Sequence, residues 1–300
     1  RLSGNWLIAR LMTVYVEVFR NIPLLLWILV CLAIFTEVMP PPNAYRGENP
    51  AASMILFDTI APTNRYTAIP SIGMTNPPGT ISLGREGISW AFVAFVVVIA
   101  AAFVGRRLLR SRAQRIQDRT GKRPTTWWIS LAMFALPVLF LTWYFGLHLI
   151  PPVLRGFNFA DGINLDNALV VLWLALTLYT GAFIAEIVRA GILAVHGGQW
   201  EAAGALGLSR GEQLRLIILP QALRVIIPPM TSQYLNITKN SSLAVAIGYQ
   251  DIVSIANTTL NQTGQAIEGI AIIMAVYLTI SLSISLFMNW YNAKLALKER

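Results

Sequence analysis

Residues 91–104 read A-F-V-A-F-V-V-V-I-A-A-A-F-V, without a single charged or hydrogen-bonding side chain. Such a run belongs in a bilayer, where only a helix or a closed barrel satisfies its own backbone. It is not alone. Hydrophobic residues make up 55% of the chain and charged residues 12%, against roughly a quarter charged in soluble domains. No alternating barrel pattern is present. The sequence therefore predicts an all-α integral membrane protein, a multi-span helical bundle forming one transmembrane domain over 1–300. The spans fall at about 8–39, 88–104, 126–150, 167–195, 222–247 and 267–290. Glu17, Arg20 and Pro23 interrupt the first, and Pro228-Pro229 is predicted to break the fifth. A polar, Pro-rich insert occupies 40–87.

Orientation follows from where Lys and Arg sit near span ends. The 106–125 segment is the most basic: its 106–123 part holds eight Lys and Arg against Asp118 alone. It is read as a cytoplasmic loop. Alternation then puts the 196–221 loop and the C-terminus, with Lys294, Lys298 and Arg300, on the same side. The 40–87 insert, with only Arg46, Arg65 and Arg85 as basic residues, faces outward. A net charge of +9 raises nucleic acid as a partner. The basic residues lack aromatic interleaving and any recognition module, so a solvated loop beside anionic lipid is expected instead. Trp127, Trp128, Trp143 and Trp290 fall near span ends, where aromatic belts form. Cys31 is a lone cysteine, and His148 and His196 have no ligand spacing, so neither a disulfide framework nor a metal site is expected.

The 196–221 loop is the most ordered polar segment. Gly197 and Gly198 let the chain leave the fourth span, and residues 199–206 can form a short helix. Gly207 stands where a helix ends in a left-handed residue. Ser209 with Glu212 is a capping-box pair for a second helix, and Pro220 is read as the bend into the fifth span. Ala202, Ala203 and Ala205 keep one face small enough to enter a groove. An amphipathic connector lying on the bilayer would instead carry bulky apolar residues flanked by Lys and Arg. A helix-turn-helix knob that a partner grips is therefore predicted.

The loop reads E-A-A at 201–203, three residues, Gly207, nine residues, then I-I-L-P at 217–220. This pattern resembles the signature loop of bacterial ABC-importer permeases of type I, the EAA loop. Three further stretches resemble the polar and general L-amino-acid branch of that family: Y-V-E-V-F-R-N-I-P-L-L-L at 15–26, F-I-A-E-I-V-R-A-G-I at 183–192 and K-N-S-S-L-A at 239–244. The resemblance covers the first span and about 165–290. Residues 40–165 depart from it by adding the insert and two spans, which keeps the topology's parity. Arg1 already lies inside family-like sequence, so a further segment upstream is expected.

The resemblance implies a non-catalytic permease subunit in the bacterial inner membrane that forms half of a translocation pathway. Glu201, Ala202, Ala203, Gly207, Ile217, Leu219 and Pro220 would couple it to a dimer of ATP-binding subunits. ATP and Mg would be held there, with no cofactor on this chain; no G-x-x-x-x-G-K-[ST] phosphate loop occurs in the sequence. A second, non-identical permease and an extracytoplasmic solute-binding protein would complete the importer.

Ionisable residues inside spans face an interior or a partner. Gln233, Asn236 and Asn240 form a polar stripe at i, i+3 and i+7, with Lys239, Ser241 and Ser242 beside it. These residues and Glu186 are the candidate substrate path. Two readings stand for Glu186, contact with a substrate ammonium or a bond to Arg189, and two for Lys239, path lining or snorkelling. Glu17 and Arg20, three apart, make a structural or gating pair. A passive channel or ion-driven carrier accounts for the stripe but gives the loop no task. An intramembrane enzyme would need a clustered acid, base or metal set, and the sequence offers none.

Overall fold

A computed structural model describes residues 4–47, 50–83, 86–121 and 124–295. Arg85, Lys122, Arg123, Lys298 and Arg300, used above for orientation, lie outside these residues, as does the side chain of Lys294. The chain divides into two units, one of Arg1–Ala44, Pro62–Thr67 and Leu165–Arg300, the other of Tyr45–Ala61 and Ala68–Asn164. The second falls within the stretch that departs from the family-like sequence. Among the described residues five helices are long and apolar enough to cross a membrane, or six if one bent pair counts as a span.

That bent pair is the first span, and it corrects the expectation of one rod over 8–39. Helix α1 (Trp6–Asn21) and helix α2 (Leu24–Ala33), the latter prolonged by a π turn at Ile34–Val38, meet at 106°. Pro23 is the cause. It restricts the residue before it to extended backbone, and Ile22 sits at φ −107°, ψ 134°. Helix α1 ends there, and α2 restarts with Pro23 at its cap.

Helix α3 (Trp90–Thr120) and helix α4 (Trp127–Tyr144) pack together in the smaller unit, with Phe103 edge-on to Phe134 at 5.1 Å. Two expectations are overturned here. The basic 106–125 loop is helical as far as Thr120, because nothing before Gly121 (φ +67°) breaks the helix and Arg, Leu, Gln and Ala all favour it. The third span stops at Tyr144 instead of 150. Gly146 (φ +59°) turns the chain, and Leu147–Ile150 pairs antiparallel with Ser71–Met74. Antiparallel pairs also join Thr80–Leu83 to Glu86–Ser89 and Val153–Arg155 to Asn158–Ala160. The all-α expectation thus holds for the apolar spans, while the insert is built from short strands.

The larger unit is organised on helix α5 (Asn167–Leu193), which packs against α1, α2 and the long helix that follows the loop. Asp166 caps α5 by accepting from Ala168 N at 2.9 Å. Asn167, buried, donates to Thr63 O (2.8 Å) and accepts from Thr67 Oγ1 (3.1 Å). That knot fixes the 62–67 segment to the start of α5. Leu24, Ile28 and Cys31 of α2 pack on Val171, Leu172, Ala175 and Leu176 of α5, together with Ala244. Tyr15 of α1 donates to Leu178 O at 2.6 Å.

Short helix α6 (Gly197–Ala205) and short helix α7 (Arg210–Gln213) make the loop. A π turn at Leu214–Ile218 then carries the backbone into helix α8 (Leu219–Asn240). The helical path from Arg210 to Ile247 is continuous, which corrects two proline expectations. Pro220 sits in the first turn of α8, where its missing N–H costs nothing, so it makes no bend. Pro228 and Pro229 lie inside α8 without ending it, since a spanning helix held by neighbours tolerates them; α5 and the last long helix both pack on α8. A 3₁₀ segment, Ser241–Ile247, leads to helix α9 (Ile252–Thr263), and helix α10 (Ala266–Leu295) follows. No expectation covered α9, although Asp251 caps it through Ser254 N (2.8 Å) and Gly264 (φ +73°) ends it.

Because lipid tails are as apolar as leucine, spanning helices associate through close packing of small residues. Helices α5 and α8 do so where Gly191 meets Ile226 and Ala222; a Cβ at 191 would overlap Ile226 and lie 3.3 Å from Ala222 O. Gly191→Val is therefore expected to destabilise the protein by about 1–3 kcal/mol in denaturant titrations. Gly197→Ala, where a Cβ meets nothing within 4 Å, is expected to be neutral.

Candidate coupling loop and open pocket

The loop's turn is fixed from both sides. Helix α6 begins at His196, whose Nδ1 accepts from Gly198 N (3.1 Å). It ends in a Schellman motif: Leu208 N donates to Ala203 O (3.3 Å), Gly207 N to Gly204 O (2.9 Å), and Gly207 adopts φ +73°. Ser209 then caps α7. Its hydroxyl (2.7 Å) and its amide (2.9 Å) both donate to Glu212 Oε2, and Glu212 N donates back to Ser209 Oγ at a long 3.5 Å. Those two bonds hold the Glu212 carboxyl below its usual range. Gln213 Nε2 closes the turn on Leu208 O (2.8 Å), and Gln221 Nε2 ties α8 to Gln199 Oε1 of α6 (3.1 Å).

On this frame the E-A-A triplet divides. Glu201 and Ala202 are exposed, whereas Ala203 is fully buried and supplies the carbonyl of the Schellman bond. Leu206 is 77% exposed at the tip. Of the I-I-L-P positions, Ile217 is half-buried, Leu219 is 38% exposed, Pro220 is exposed, and Ile218 is the one fully buried. Ile218 packs with Val195, Ala222 and Ile226, and Ile217 and Trp200 lie against that cluster. Sequence reasoning passed over Ile218, Trp200, Gln199 and Gln221. The π turn explains the first, because one extra residue in the turn rotates the inward face off the 3.6-residue repeat.

In the same unit, an open pocket of about 160 Å³ is lined by Arg20, Phe183, Glu186, Ile187, Ala190 and Gln233. Helices α1, α5 and α8 thus bring together three residues that sequence patterns had singled out separately. Glu186 bonds Arg189 through Nε (3.2 and 3.3 Å) and Nη2 (3.2 Å), the second of its two readings. Arg20 lies over the Phe183 ring, 5.6 Å from its centroid. Glu17 accepts at its carbonyl (2.7 Å) and carboxylate (3.4 Å) from Asn21 Nδ2. The remaining path candidates do not line this pocket. Asn236 and Lys239 are exposed and Asn240 is half-buried. Ser241 and Ser242 donate to the carbonyls of Thr238 and Lys239, both at 2.7 Å.

Several apolar spanning helices, a hydrogen-bonded polar knob between two of them and a small open pocket with both charge signs define a multi-pass membrane protein of the transporter-subunit class. The family of binding-protein-dependent transport system inner membrane components matches residues 115–297, and the chain belongs to it. The chain is 50% identical over 310 residues to the glutamate/glutamine/aspartate/asparagine transport system permease protein BztB of Rhodobacter capsulatus, covering all of this chain and 73% of that protein. It is 48% identical to the putative amino-acid ABC transporter permease protein YhdX of Escherichia coli, over all of this chain and 72% of that one. Against the general L-amino acid transport system permease protein AapQ of Rhizobium johnstonii the identity is 47%, over all of this chain and 70% of the relative.

The capping box has a pH signature. A depressed carboxylate pKa contributes stability above the ordinary carboxylate range, and that contribution is lost as pH falls through the lowered value. Amide protection at 210–213, measured by hydrogen exchange and scaled to unfolded-chain rates, is expected to fall on acidification. In Ser209→Ala the fall is expected to begin at higher pH; superimposable profiles would show that Ser209 does not hold the carboxyl.

Proposed function

We propose that the chain is the permease subunit of an ATP-driven amino-acid importer in the bacterial inner membrane, with its C-terminus in the cytoplasm. It supplies half of the translocation pathway and hydrolyses no ATP itself. A dimer of ATP-binding subunits carries ATP and Mg, a second and non-identical permease supplies the other half, and an extracytoplasmic solute-binding protein delivers substrate. The amino-acid assignment is supported by the names of the relatives. The coupling assignment is supported by one observation above all: Glu201 and Ala202 are exposed on a short helix whose both ends are locked by hydrogen bonds.

A rigid knob transmits a push, whereas a flexible loop absorbs it. Helix α6 is tied to α8 through Gln199–Gln221 and to the Ile218 cluster through Trp200. A displacement delivered at Glu201 and Ala202 is therefore passed to α5 and α8 together. Those two helices wall the Arg20–Glu186–Gln233 pocket, so the same displacement changes the pocket. An amino acid needs a cation for its carboxylate and an anion for its ammonium, and Arg20 and Glu186 have those signs. ATP drives transport by biasing two such arrangements, which requires that the ATPase bind one of them more tightly.

Purification of the tagged chain from native membranes in mild detergent, with mass spectrometry of the co-purifying proteins, tests the coupling. An ATPase subunit is expected with the wild type and is expected to be lost in Ala202→Trp, which fills the docking face without touching the buried side of α6. A wild-type chain that runs folded and alone would move a passive channel or ion-driven carrier to the front. Glu186→Gln is expected to retain the ATPase but lower amino-acid uptake in vesicles about tenfold, the value of one charge-assisted contact. Unchanged uptake would remove Glu186 from the path.

A further inference from the structure

Helix α1 has two features that neither the coupling loop nor the substrate pocket uses. The first is a recess of about 410 Å³ lined by Trp6, Ala9, Arg10, Thr13 and Arg189. Two arginines from different helices, Arg10 of α1 and Arg189 of α5, line it. Thr13 donates its hydroxyl to Ala9 O (2.8 Å), which leaves the arginines and the Trp6 indole N–H as donors. Arg189 engages Glu186 through Nε and Nη2, and its side chain remains 35% exposed. A guanidinium has five N–H donors on two edges, so the edge that does not face Glu186 can take a second acceptor. Among the described residues, the lining holds two arginines and no carboxylate, and Glu186 pairs with one of them from outside the lining. The recess is therefore net basic and suits an oxyanion.

The second feature is an apolar stripe beside Arg10. Leu7, Leu11, Val14 and Val18 recur at i, i+4, i+7 and i+11 and are 56%, 57%, 52% and 39% exposed. Helix α2 packs along the spanning helix α5, and α1 turns away from α2 by 106°. With α2 and α5 running along the bilayer normal, the 106° bend turns α1 across it, and the proposal below takes α1 in that placement. An interfacial helix of this kind puts its apolar stripe among acyl chains and its basic residues at the headgroups.

We propose that the Arg10–Arg189 recess is a binding site for the phosphate of an anionic phospholipid, whose acyl chains lie along the Leu7–Val18 stripe. The phosphate accepts from both guanidinium groups, bridging α1 to α5. Arg189 also forms one side of the pair whose other member, Glu186, lines the Arg20–Gln233 pocket. Lipid occupancy and the state of Glu186 are thereby linked through one side chain. The orientation proposed above puts this lipid in the cytoplasmic leaflet; binding itself does not depend on that orientation.

The test uses the full chain, with whatever subunits co-purify, in phosphatidylcholine nanodiscs containing a small fraction of fluorescent phosphatidylglycerol. Energy transfer from an engineered fluorophore on α1 reads binding. Saturable binding of phosphatidylglycerol over phosphatidylcholine is expected, weakened about tenfold in Arg10→Gln and largely kept in Arg10→Lys. Arg10 is exposed, so its replacement does not endanger folding. Equal binding by wild type and Arg10→Gln would overturn the proposal. A free-phosphate arm separates the two sources of the same chemistry. Inorganic phosphate at millimolar concentration is expected to leave phosphatidylglycerol bound; displacement at that concentration would assign the recess to a soluble phosphate instead. Shielding of Leu11→Cys from a lipid-phase quencher in the intact assembly would show a protein on the stripe and likewise overturn the lipid assignment.

Discussion

Everything in the larger unit depends on how closely α5 and α8 approach each other. In water, two apolar helix faces are driven together by the surface they hide; in lipid that drive disappears and contact distance decides. Gly191 against Ala222 and Ile226 supplies the short distance, and Ala175 and Ala244 repeat the device where α2 and the 3₁₀ segment meet α5. Small residues therefore mark the working interfaces of this protein, and its large apolar residues mostly face outward, with Phe92, Leu136 and Met274 all more than half exposed.

The loop is built on the opposite principle. It lies in a polar segment, and hydrogen bonds fix it at each turn. The E-A-A triplet divides its labour within one helical turn: two residues face outward and the third closes the frame. The surface that Glu201 and Ala202 present therefore takes its shape from Ala203, Gly207 and Ser209.

The loop was the most legible part of the sequence because its devices are local. Gly207 at a left-handed position and Ser209 paired with Glu212 are short-range rules, and both geometries are present. The bundle itself was legible from apolar run lengths. Boundaries were harder. Proline misled at 220, 228 and 229, where position in the first turn or support from neighbouring helices overrides its tendency to break a helix, yet at Pro23 the bend exceeded what an interrupted span suggests. The basic segment after Val104 looked like a loop by charge, but charge does not end a helix. The pocket could be read only in pieces. Arg20, Glu186 and Gln233 each stood out on their own helix, and nothing in one sequence says that three helices bring them together. Ile218 was invisible for a different reason, since a π turn shifts the register that periodicity assumes.

The knot at Asn167 bears on how such a chain could have been assembled. Thr67 and Asn167 are a hundred positions apart yet share a hydrogen bond, and Thr63 joins them. Between them the chain departs to form Ala68–Asn164 and comes back to the place it left. A segment whose two ends are neighbours can be gained or lost without re-threading the helices that hold it. The clasp at Asn167 thus lets the core it belongs to stay continuous in space where it is broken in sequence.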